Sequence, residues 1–209
     1  DVLDISKIES GKMTLNVEPV SLREVMESIV NIVQPQVKAK NQRFNAAAYD
    51  ILSEQVYCDS VRLNQVLINL LGNAVKFTPE QGSVQVTVYQ EPGEGGRVRT
   101  HFLVQDTGIG MSKEYQKEIF DSFSREDNTR VRKTEGSGLG MAITKCIVDA
   151  MDGDISVRSE QGKGSEFHVV LNLERAAESV PDRDLPVWSV LVVDEDERLC
   201  VNAVRSLEE

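Results

Sequence analysis

The chain has 209 residues and a formal net charge of -11, with 34 acidic and 23 basic side chains. Its hydrophobic content of 40% and charged content of 27% are those of an ordinary globular protein, which disfavours a disordered chain or a coiled-coil rod. The acidic excess argues against nucleic acid as a partner, because binding to its phosphates requires many basic side chains. No apolar run is long enough to span a membrane and the first residues are charged, so we expect a cytoplasmic location.

Hydrophobic spacing predicts helices and strands that alternate along the chain. A capping-box pattern at Ser21 predicts a helix that extends to about Lys40. Asp59 or Ser60 is expected to cap a second, strongly apolar helix that ends at about Phe77, where a Thr-Pro pair stops it. A third helix is expected over 139–151, and strands are expected over 43–48, 56–58, 83–89, 98–104, 154–159 and 166–173.

The strands over 83–89 and 98–104 form a predicted hairpin around a Pro-Gly-Glu-Gly-Gly turn. The region that follows, from Asp106 to Gly140, is rich in glycine and charged residues and shows no hydrophobic periodicity. Loops of this length inside a compact domain usually serve a function. We therefore expect this region to contribute to a binding site.

The second helix combines a wide apolar stripe with a separate polar face. Asn69, Asn73 and Lys76 are spaced by four and three residues, which places them on one side of the helix. Amide oxygens suit Mg²⁺ and a lysine ammonium suits phosphate, so this face has the chemistry of a metal and phosphate site. A solvated helix face is the alternative that this pattern alone leaves open.

Two glycine-rich segments flank the long loop. Asp106-Thr107-Gly108-Ile109-Gly110 ends the hairpin, and Gly136-Ser137-Gly138-Leu139-Gly140 precedes the third helix. Glycines let the backbone approach a ligand closely, and the N–H groups at a helix start bind anions. The Asp106 carboxylate can accept a hydrogen bond from an exocyclic amine, which favours adenine over guanine. Neither segment has the P-loop or dinucleotide spacing, and turn formation alone is the alternative for each.

Five polar or glycine-rich segments follow one another along the chain: Asn69-x-x-x-Asn73-Ala74-x-Lys76-Phe77-Thr78, Asp106-Thr107-Gly108-Ile109-Gly110, Ile119-Phe120-Asp121-Ser122-Phe123-Ser124-Arg125, Gly136-Ser137-Gly138-Leu139-Gly140-Met141-Ala142-Ile143 and Gly162-Lys163-Gly164-Ser165. In this order they resemble the N, G1, F, G2 and G3 boxes of sensor histidine kinases. The resemblance covers Ser21 to Leu173 and implies a Bergerat-type catalytic and ATP-binding domain. The implied fold class is α/β, a two-layer sandwich of a mixed β-sheet against helices, and the implied cofactors are ATP and Mg²⁺.

The resemblance also implies a role for each matching residue. Asn73 resembles the Mg²⁺ ligand, with Asn69 beside it, and Lys76 and Phe77 are expected along the phosphates and the nucleoside, so that Asn73 and Lys76 act in catalysis. Asp106 resembles the carboxylate that binds the adenine amino group. The other implied cofactor-binding residues lie in the glycine segments: Gly108, Ile109 and Gly110 for the adenine, Gly136, Ser137, Gly138, Leu139 and Gly140 for the phosphates, and Ser165.

The F-box segment resembles the part of the family that faces the transferring phosphoryl group. Arg125 resembles the arginine that neutralises charge on that group, which makes it the third expected catalytic residue. Residues 111–135 are expected to form a lid over ATP. Phe120 and Phe123 are expected to be the apolar anchors of this lid.

The resemblance extends beyond this domain at both ends. Residues 1–13 resemble the end of the second helix of a dimerisation and histidine-phosphotransfer domain, and the catalytic domain is expected over 14–173. Residues 174–186 have the composition of a linker, and residues 187–209 resemble the first strand and helix of a truncated receiver domain. The implied partners are these two domains, in a hybrid kinase that is a homodimer when complete. The receiver start is expected to pack against the catalytic domain or a neighbouring molecule.

Two other classes of function are weighed against this one. A Bergerat-fold ATPase hydrolyses ATP with a helix glutamate, and the matching position here holds Asn69, which cannot act as a general base. A degenerate module would bind signalling partners without catalysis, which the intact Asn73 and Asp106 disfavour. His101 and His168 lie in predicted strands outside the family's phosphoacceptor context, so we expect the acceptor histidine outside this sequence.

Overall fold

A computed structural model describes residues 14–124, 138–176 and 201. Within these ranges the chain forms a mixed seven-stranded sheet packed against helices, which confirms the predicted α/β sandwich. The predictions for residues 1–13 and for the receiver start, including how that start packs, lie outside the described residues except at Val201. The linker predicted over 174–186 begins later than expected, because Glu174 and Arg175 still belong to a strand and pair with Tyr57 and Val56. Residues 177–186 lie outside the described residues.

The predicted helices and strands of the described ranges are all present, with ends that differ from the predictions by a few residues. The helices are α1 (Leu22–Ala39), α2 (Ser60–Phe77), the short α3 (Tyr115–Glu118) and α4 (Gly140–Ala150). The strands are β1 (Glu18–Ser21), β2 (Arg43–Tyr49), β3 (Gln55–Cys58), β4 (Ser83–Pro92), β5 (Val98–Asp106), β6 (Gly153–Glu160) and β7 (Gly164–Arg175), with a 3-10 turn at Glu94–Gly96.

The strand order brings together segments that are far apart in sequence. The sheet runs β1-β3-β7-β5-β4-β2, and β6 also pairs with β7. Strands β4 and β5 form the predicted antiparallel hairpin, and β2 pairs with β4 in parallel. The antiparallel pairing of β5 with β7 places Asp106, at the end of β5, opposite Ser165.

Local hydrogen bonds explain where the two long helices begin. The Ser21 hydroxyl accepts the N–H of Glu24 at 3.1 Å and begins α1, as the capping-box pattern predicts. Asp59, rather than Ser60, caps α2, because its carboxylate accepts the N–H of Arg62 at 3.0 Å. Each cap supplies a partner to an N–H group that has none within the helix.

The core lies between the helices and one face of the sheet. Because α2 directs its apolar stripe into this core, its polar face is left at the edge of the helix layer. None of the helices in the described part of the chain is both long and apolar enough to cross a membrane. The buried residues of α2 are Leu63, Val66, Leu67, Leu70, Leu71, Ala74 and Val75.

An aromatic row crosses four neighbouring strands through Tyr49, Tyr89, His101 and His168. The rings of Tyr89 and His101 stack with centroids 4.4 Å apart. His101 Nδ1 and His168 Nε2 lie 2.9 Å apart, within hydrogen-bond distance. One of these two nitrogens has to accept, so the contact is lost when both rings are protonated. This places both histidines in the sheet, as expected from their strand positions.

The histidine pair predicts a loss of stability below neutral pH. Burial lowers the pKa of His101 and of His168 from the ordinary value of 6.5, while nearby Glu91 opposes this at His101. The unfolded chain therefore binds more protons than the native state just below pH 6.5, so the free energy of unfolding falls as the pH drops through this range. In thermal unfolding, we expect the Tm to fall as the pH drops below 6.5, and to fall less in a His101→Phe variant, which keeps the stacked ring. An equal pH dependence in the variant would contradict this.

Candidate functional site

One cavity of about 520 Å³ lies between α2, the start of α4, the turn after β5 and the start of β7. This volume is typical of a site for a small organic ligand. The structure therefore brings residues from four separate segments of the sequence to one place. The sequence-predicted site residues that line the cavity are Asn69, Asn73, Lys76, Phe77, Asp106, Ile109, Gly110, Gly138, Gly140 and Ser165.

The polar face of α2 forms one wall of this cavity. Asn69, Asn73 and Lys76 are half-buried and all line it, so the alternative of a fully solvated helix face is wrong. The Lys76 ammonium lies 5.2 Å from the centre of the Phe77 ring. Phe77 lies eight positions after Asn69, a rise of about 12 Å along the helix. An extended nucleoside triphosphate can follow a wall of this length.

The turn after β5 is attached to the Phe77 end of α2. The Asp106 carboxylate accepts the N–H of Gly108 at 2.7 Å, and the N–H of Ile109 donates to the Phe77 carbonyl at 3.3 Å. Burial raises the pKa of the Asp106 carboxyl above its ordinary value, and hydrogen bonds from the N–H groups of Gly108 and Ser165 act in the opposite direction. A half-buried carboxylate with one oxygen already bonded retains acceptor capacity for an amine in the cavity.

The glycines of this turn make room for the protein's own backbone. A Cβ at position 108 would lie 2.7 Å from the Phe77 carbonyl oxygen, and one at position 110 would lie 1.9 Å from that of Glu160. Gly110 also has a φ of +62°, which favours glycine. Gly110 lines the cavity, but Gly108 does not, so the expectation that Gly108 helps to shape the adenine pocket is not met by a direct contact with the cavity. Its small size instead lets the turn pack on α2.

The start of α4 faces the other end of the polar wall. Gly140 is so close to Asn69 that a Cβ on it would lie 2.6 Å from Asn69 Oδ1. The first N–H groups of a helix have no carbonyl partner within that helix, and they attract anions. Leu139 does not line the cavity, because its side chain is 4% exposed and packs in the core. Any contact of Leu139 with the phosphates therefore has to come from its backbone rather than from its side chain.

Phe123 of the F-box segment and Gly138 of the G2-box segment meet at the edge of the cavity. The N–H of Phe123 donates to the Gly138 carbonyl at 3.1 Å. Phe120 packs against the core as expected, but Phe123 is 73% exposed and is not an anchor, because its φ of +65° and this backbone bond leave its ring outside the core. Arg125, Gly136 and Ser137 lie outside the described residues.

The sequence-based prediction missed the apolar walls of the cavity and two contacts from α4. Ile119 belongs to the F-box segment, and Met141 and Ile143 belong to the G2-box segment, but their side chains have no chemistry that predicts a contact, and only the fold brings them to the site. Thr144 accepts a hydrogen bond from Asn69, and Met141 contacts both asparagines through its sulfur. The missed apolar lining consists of Ile68, Met111, Tyr115, Ile119, Ile143 and Phe167.

The donor set limits the kind of ion that the site can hold. No group of three or more His, Cys, Asp or Glu side chains is arranged to bind a metal in the described residues. Oxygen ligands from amides and from phosphates suit Mg²⁺, which binds through few protein ligands. Asn69 and Asn73 of α2 therefore fit a Mg²⁺ ion that arrives with a nucleotide.

Comparison with known proteins agrees with this geometry. Residues 58–175 match the family described as histidine kinase-, DNA gyrase B-, and HSP90-like ATPase. The chain belongs to this ATPase family. The matched residues run from the end of β3 to the end of β7 and contain all the cavity-lining residues. Family membership supports ATP as the nucleotide of this domain.

Two curated relatives of this chain are sensor proteins by name, and one of them is named as a histidine kinase. The sensor histidine kinase GacS of Pseudomonas protegens is 37% identical over 182 residues, which are 87% of this chain and 20% of that protein. The aerobic respiration control sensor protein ArcB of Escherichia coli is 37% identical over 216 aligned positions, which cover 100% of this chain and 27% of that protein. The chain thus spans a minor part of the length of these relatives.

Two solved structures share the fold. Full-length ShkA in complex with AMPPNP has a TM-score of 0.73 and 29% identity, over 99% of this chain and 42% of that one. The mycobacterial sensor histidine kinase MprB has a TM-score of 0.63 and 28% identity, over 77% of this chain and 99% of that one. MprB is a histidine kinase by name, and the two structures confirm the predicted fold.

Proposed function

We propose that this chain is the catalytic and ATP-binding part of a two-component sensor histidine kinase. It transfers the γ-phosphoryl group of ATP to a histidine on a dimerisation helix, for relay to an aspartate. The observation that carries the proposal is the single cavity that Asn73, Asp106 and the start of α4 share. Names of relatives such as GacS support the same activity.

Each part of the cavity wall has a role in this proposal. Asp106 accepts the adenine amino group, while Ile109, Gly110 and Ser165 border the base. The backbone at Gly138–Gly140 binds the phosphates, and Asn73 holds Mg²⁺ with Asn69 beside it. When bound, this ion supplies positive charge to the phosphate oxygens.

Charged side chains complete the site in the same proposal. Lys76 lies on the cavity wall, where its ammonium neutralises phosphate charge. Arg125, Gly136 and Ser137 keep the roles that the family resemblance implies: charge neutralisation for Arg125 and phosphate contacts for the other two. In this proposal the domain contributes to phosphoryl transfer by neutralising and positioning the phosphates of ATP, because the attacking imidazole and its base belong to another domain.

The partners in this proposal are a dimerisation and histidine-phosphotransfer domain and a receiver domain. The complete protein would form a homodimer through the first of these. A Bergerat-fold ATPase is the alternative, and Asn69 disfavours it, because an amide cannot activate water as a base. A nucleotide-binding module without catalysis is the second alternative.

Asn73→Ala is expected to abolish the increase in ATP affinity that Mg²⁺ produces. The side chain is half-buried and α2 is held by its apolar stripe, so the fold survives. Calorimetric titration of ATP with and without Mg²⁺ measures the effect. Asn64→Ala is the matched control, since Asn64 lies on the same helix outside the cavity and bonds to the Ser60 carbonyl. Unchanged Mg-ATP affinity in Asn73→Ala would refute the assignment.

Phosphoryl transfer is tested separately from binding. The chain is incubated with γ-labelled Mg-ATP and a histidine-phosphotransfer domain from a relative such as GacS. The kinase proposal predicts an acid-labile phosphohistidine on that domain and little free phosphate. Rapid phosphate release without transfer would favour the ATPase, and nucleotide binding with neither product would favour the module without catalysis.

A further inference from the structure

Helix α4 contacts the polar face of α2 through the side chains of Met141 and Thr144, for which the sequence predicted no role. Asn69 Nδ2 donates to Thr144 Oγ1 at 2.8 Å, and Thr144 is buried with 1% exposure. The Met141 sulfur lies 3.4 Å from Asn73 Nδ2 and 3.7 Å from Asn69 Nδ2. One helix therefore bonds the NH₂ groups of both asparagines.

These contacts determine which way each amide faces. A thioether sulfur accepts hydrogen bonds and donates none, so an amide presents its NH₂ group to it rather than its oxygen. The NH₂ groups of Asn69 and Asn73 both face Met141, which turns both amide oxygens away from the sulfur. Asn69 Oδ1 lies against Gly140, at the helix start that borders the cavity.

We propose that Thr144 and Met141 are positioning residues that hold Asn69 and Asn73 with their amide oxygens directed to Mg²⁺. This inference rests on the proposed function, since it assigns the metal to the same cavity. Groups that orient metal ligands from behind contribute about 10- to 100-fold to metal affinity in other proteins. Without Thr144, only the longer 3.7 Å contact with the Met141 sulfur holds the Asn69 amide, so the amide rotates more readily to present its NH₂ group, which cannot bind a cation.

Thr144→Val removes the hydroxyl and keeps the shape of the side chain. We expect a loss of about tenfold in the Mg²⁺-dependent increment of ATP affinity. We expect the affinity for ATP in EDTA to stay at the wild-type value. Calorimetric titration of the whole chain at several Mg²⁺ concentrations measures both quantities. Thr144→Ser restores the acceptor and is expected to recover the increment.

A matched control separates the loss of a buried hydroxyl from the effect on the metal. Thr100 is buried in β5 and accepts the Gln90 side-chain amide at 3.2 Å, and it does not line the cavity. Thr100→Val is therefore expected to lower the Tm as Thr144→Val does, with no change in the Mg²⁺ increment. Met141→Leu replaces the thioether with an apolar side chain of similar volume that cannot accept a hydrogen bond, and is expected to lower the increment in the same direction.

Two further measurements do not depend on activity. In the ligand-free chain, the Asn69 side-chain NH₂ protons are expected to exchange faster with solvent in Thr144→Val than in the wild type, as NMR can measure. In an Asn69→Ala background, Thr144→Val is expected to have no additional effect on the Mg²⁺ increment, because the group that it positions is gone.

Three results would overturn the inference. A wild-type increment in both Thr144→Val and Met141→Leu would show that neither contact orients the ligands. An equal loss in EDTA and in Mg²⁺, or an undiminished effect in the Asn69→Ala background, would show a purely structural role. A wild-type chain that binds ATP without any effect of Mg²⁺ would overturn the proposed metal site together with this inference, whereas the first two results leave the proposed function intact.

Discussion

Asp106→Asn is expected to lower the affinity for ATP by about 10- to 100-fold, the effect of losing a hydrogen bond to a charged group. The Asn side chain has the same size, and its oxygen can still accept the Gly108 N–H that Asp106 accepts at 2.7 Å. The NH₂ group then occupies the position of the other carboxylate oxygen and faces the adenine amine, so two donors meet. Calorimetric titration with ATP measures the loss.

Inosine triphosphate provides the control for this change. Its base has a carbonyl where adenine has the amine, so the carboxylate of Asp106 repels it and the amide of the variant donates to it. The ratio of ATP affinity to inosine triphosphate affinity is expected to reverse in Asp106→Asn. An unchanged ratio would show that Asp106 does not distinguish the two bases, and the adenine would then have to be assigned to another part of the cavity.

Gly164→Ala is expected to destabilise the domain by about 2–6 kcal/mol, from backbone strain and overpacking together. Gly164 begins β7 with a φ of +113°, and a Cβ there would lie 1.9 Å from the Asp106 carbonyl oxygen. Both effects have to be relieved by moving β7 away from β5. Because a domain is commonly stable by about 5–15 kcal/mol, denaturant unfolding is expected to show a large loss.

Gly162→Ala is the matched control in the same turn. Gly162 has a φ of +79°, but nothing lies within 4 Å of a Cβ built on it. Its substitution therefore costs only the left-handed backbone strain of about 1–2 kcal/mol. Similar losses in the two variants would contradict the role of close packing at Gly164. Any loss of ATP affinity in Gly164→Ala beyond that of Gly162→Ala would report the displacement of Asp106.

The sequence predicted the long helices and central strands well, because their signals are local. The caps at Ser21 and Asp59 and the apolar stripe of α2 act within one helix, and the valines of β4 alternate within one strand. Strand β1 had no such signal, because it is four residues long, contains Pro19 and exists through its pairing with β3. Helix α3 likewise lies within a region of no periodicity.

The site was predictable where its residues share a helix face or a turn, as Asn69, Asn73 and Lys76 do. The packing role of Gly108 could not be predicted in this way, because a Cβ on it would meet the backbone of Phe77, which is far away in sequence. Thr144 could not be predicted for the same reason, because its hydrogen bond with Asn69 joins residues that are 75 positions apart. Contacts between elements become visible only once the layers are assembled.

The bond between the Phe123 N–H and the Gly138 carbonyl has a consequence for how this family can diversify. It ties together the two ends of the intervening segment independently of the length of that segment. The entropic penalty of closing a loop rises by only about 0.6 kcal/mol for each doubling of its length. We therefore expect changes in the length of this segment among family members to cost the folded domain little stability, apart from their effects on the roles proposed for Arg125, Gly136 and Ser137.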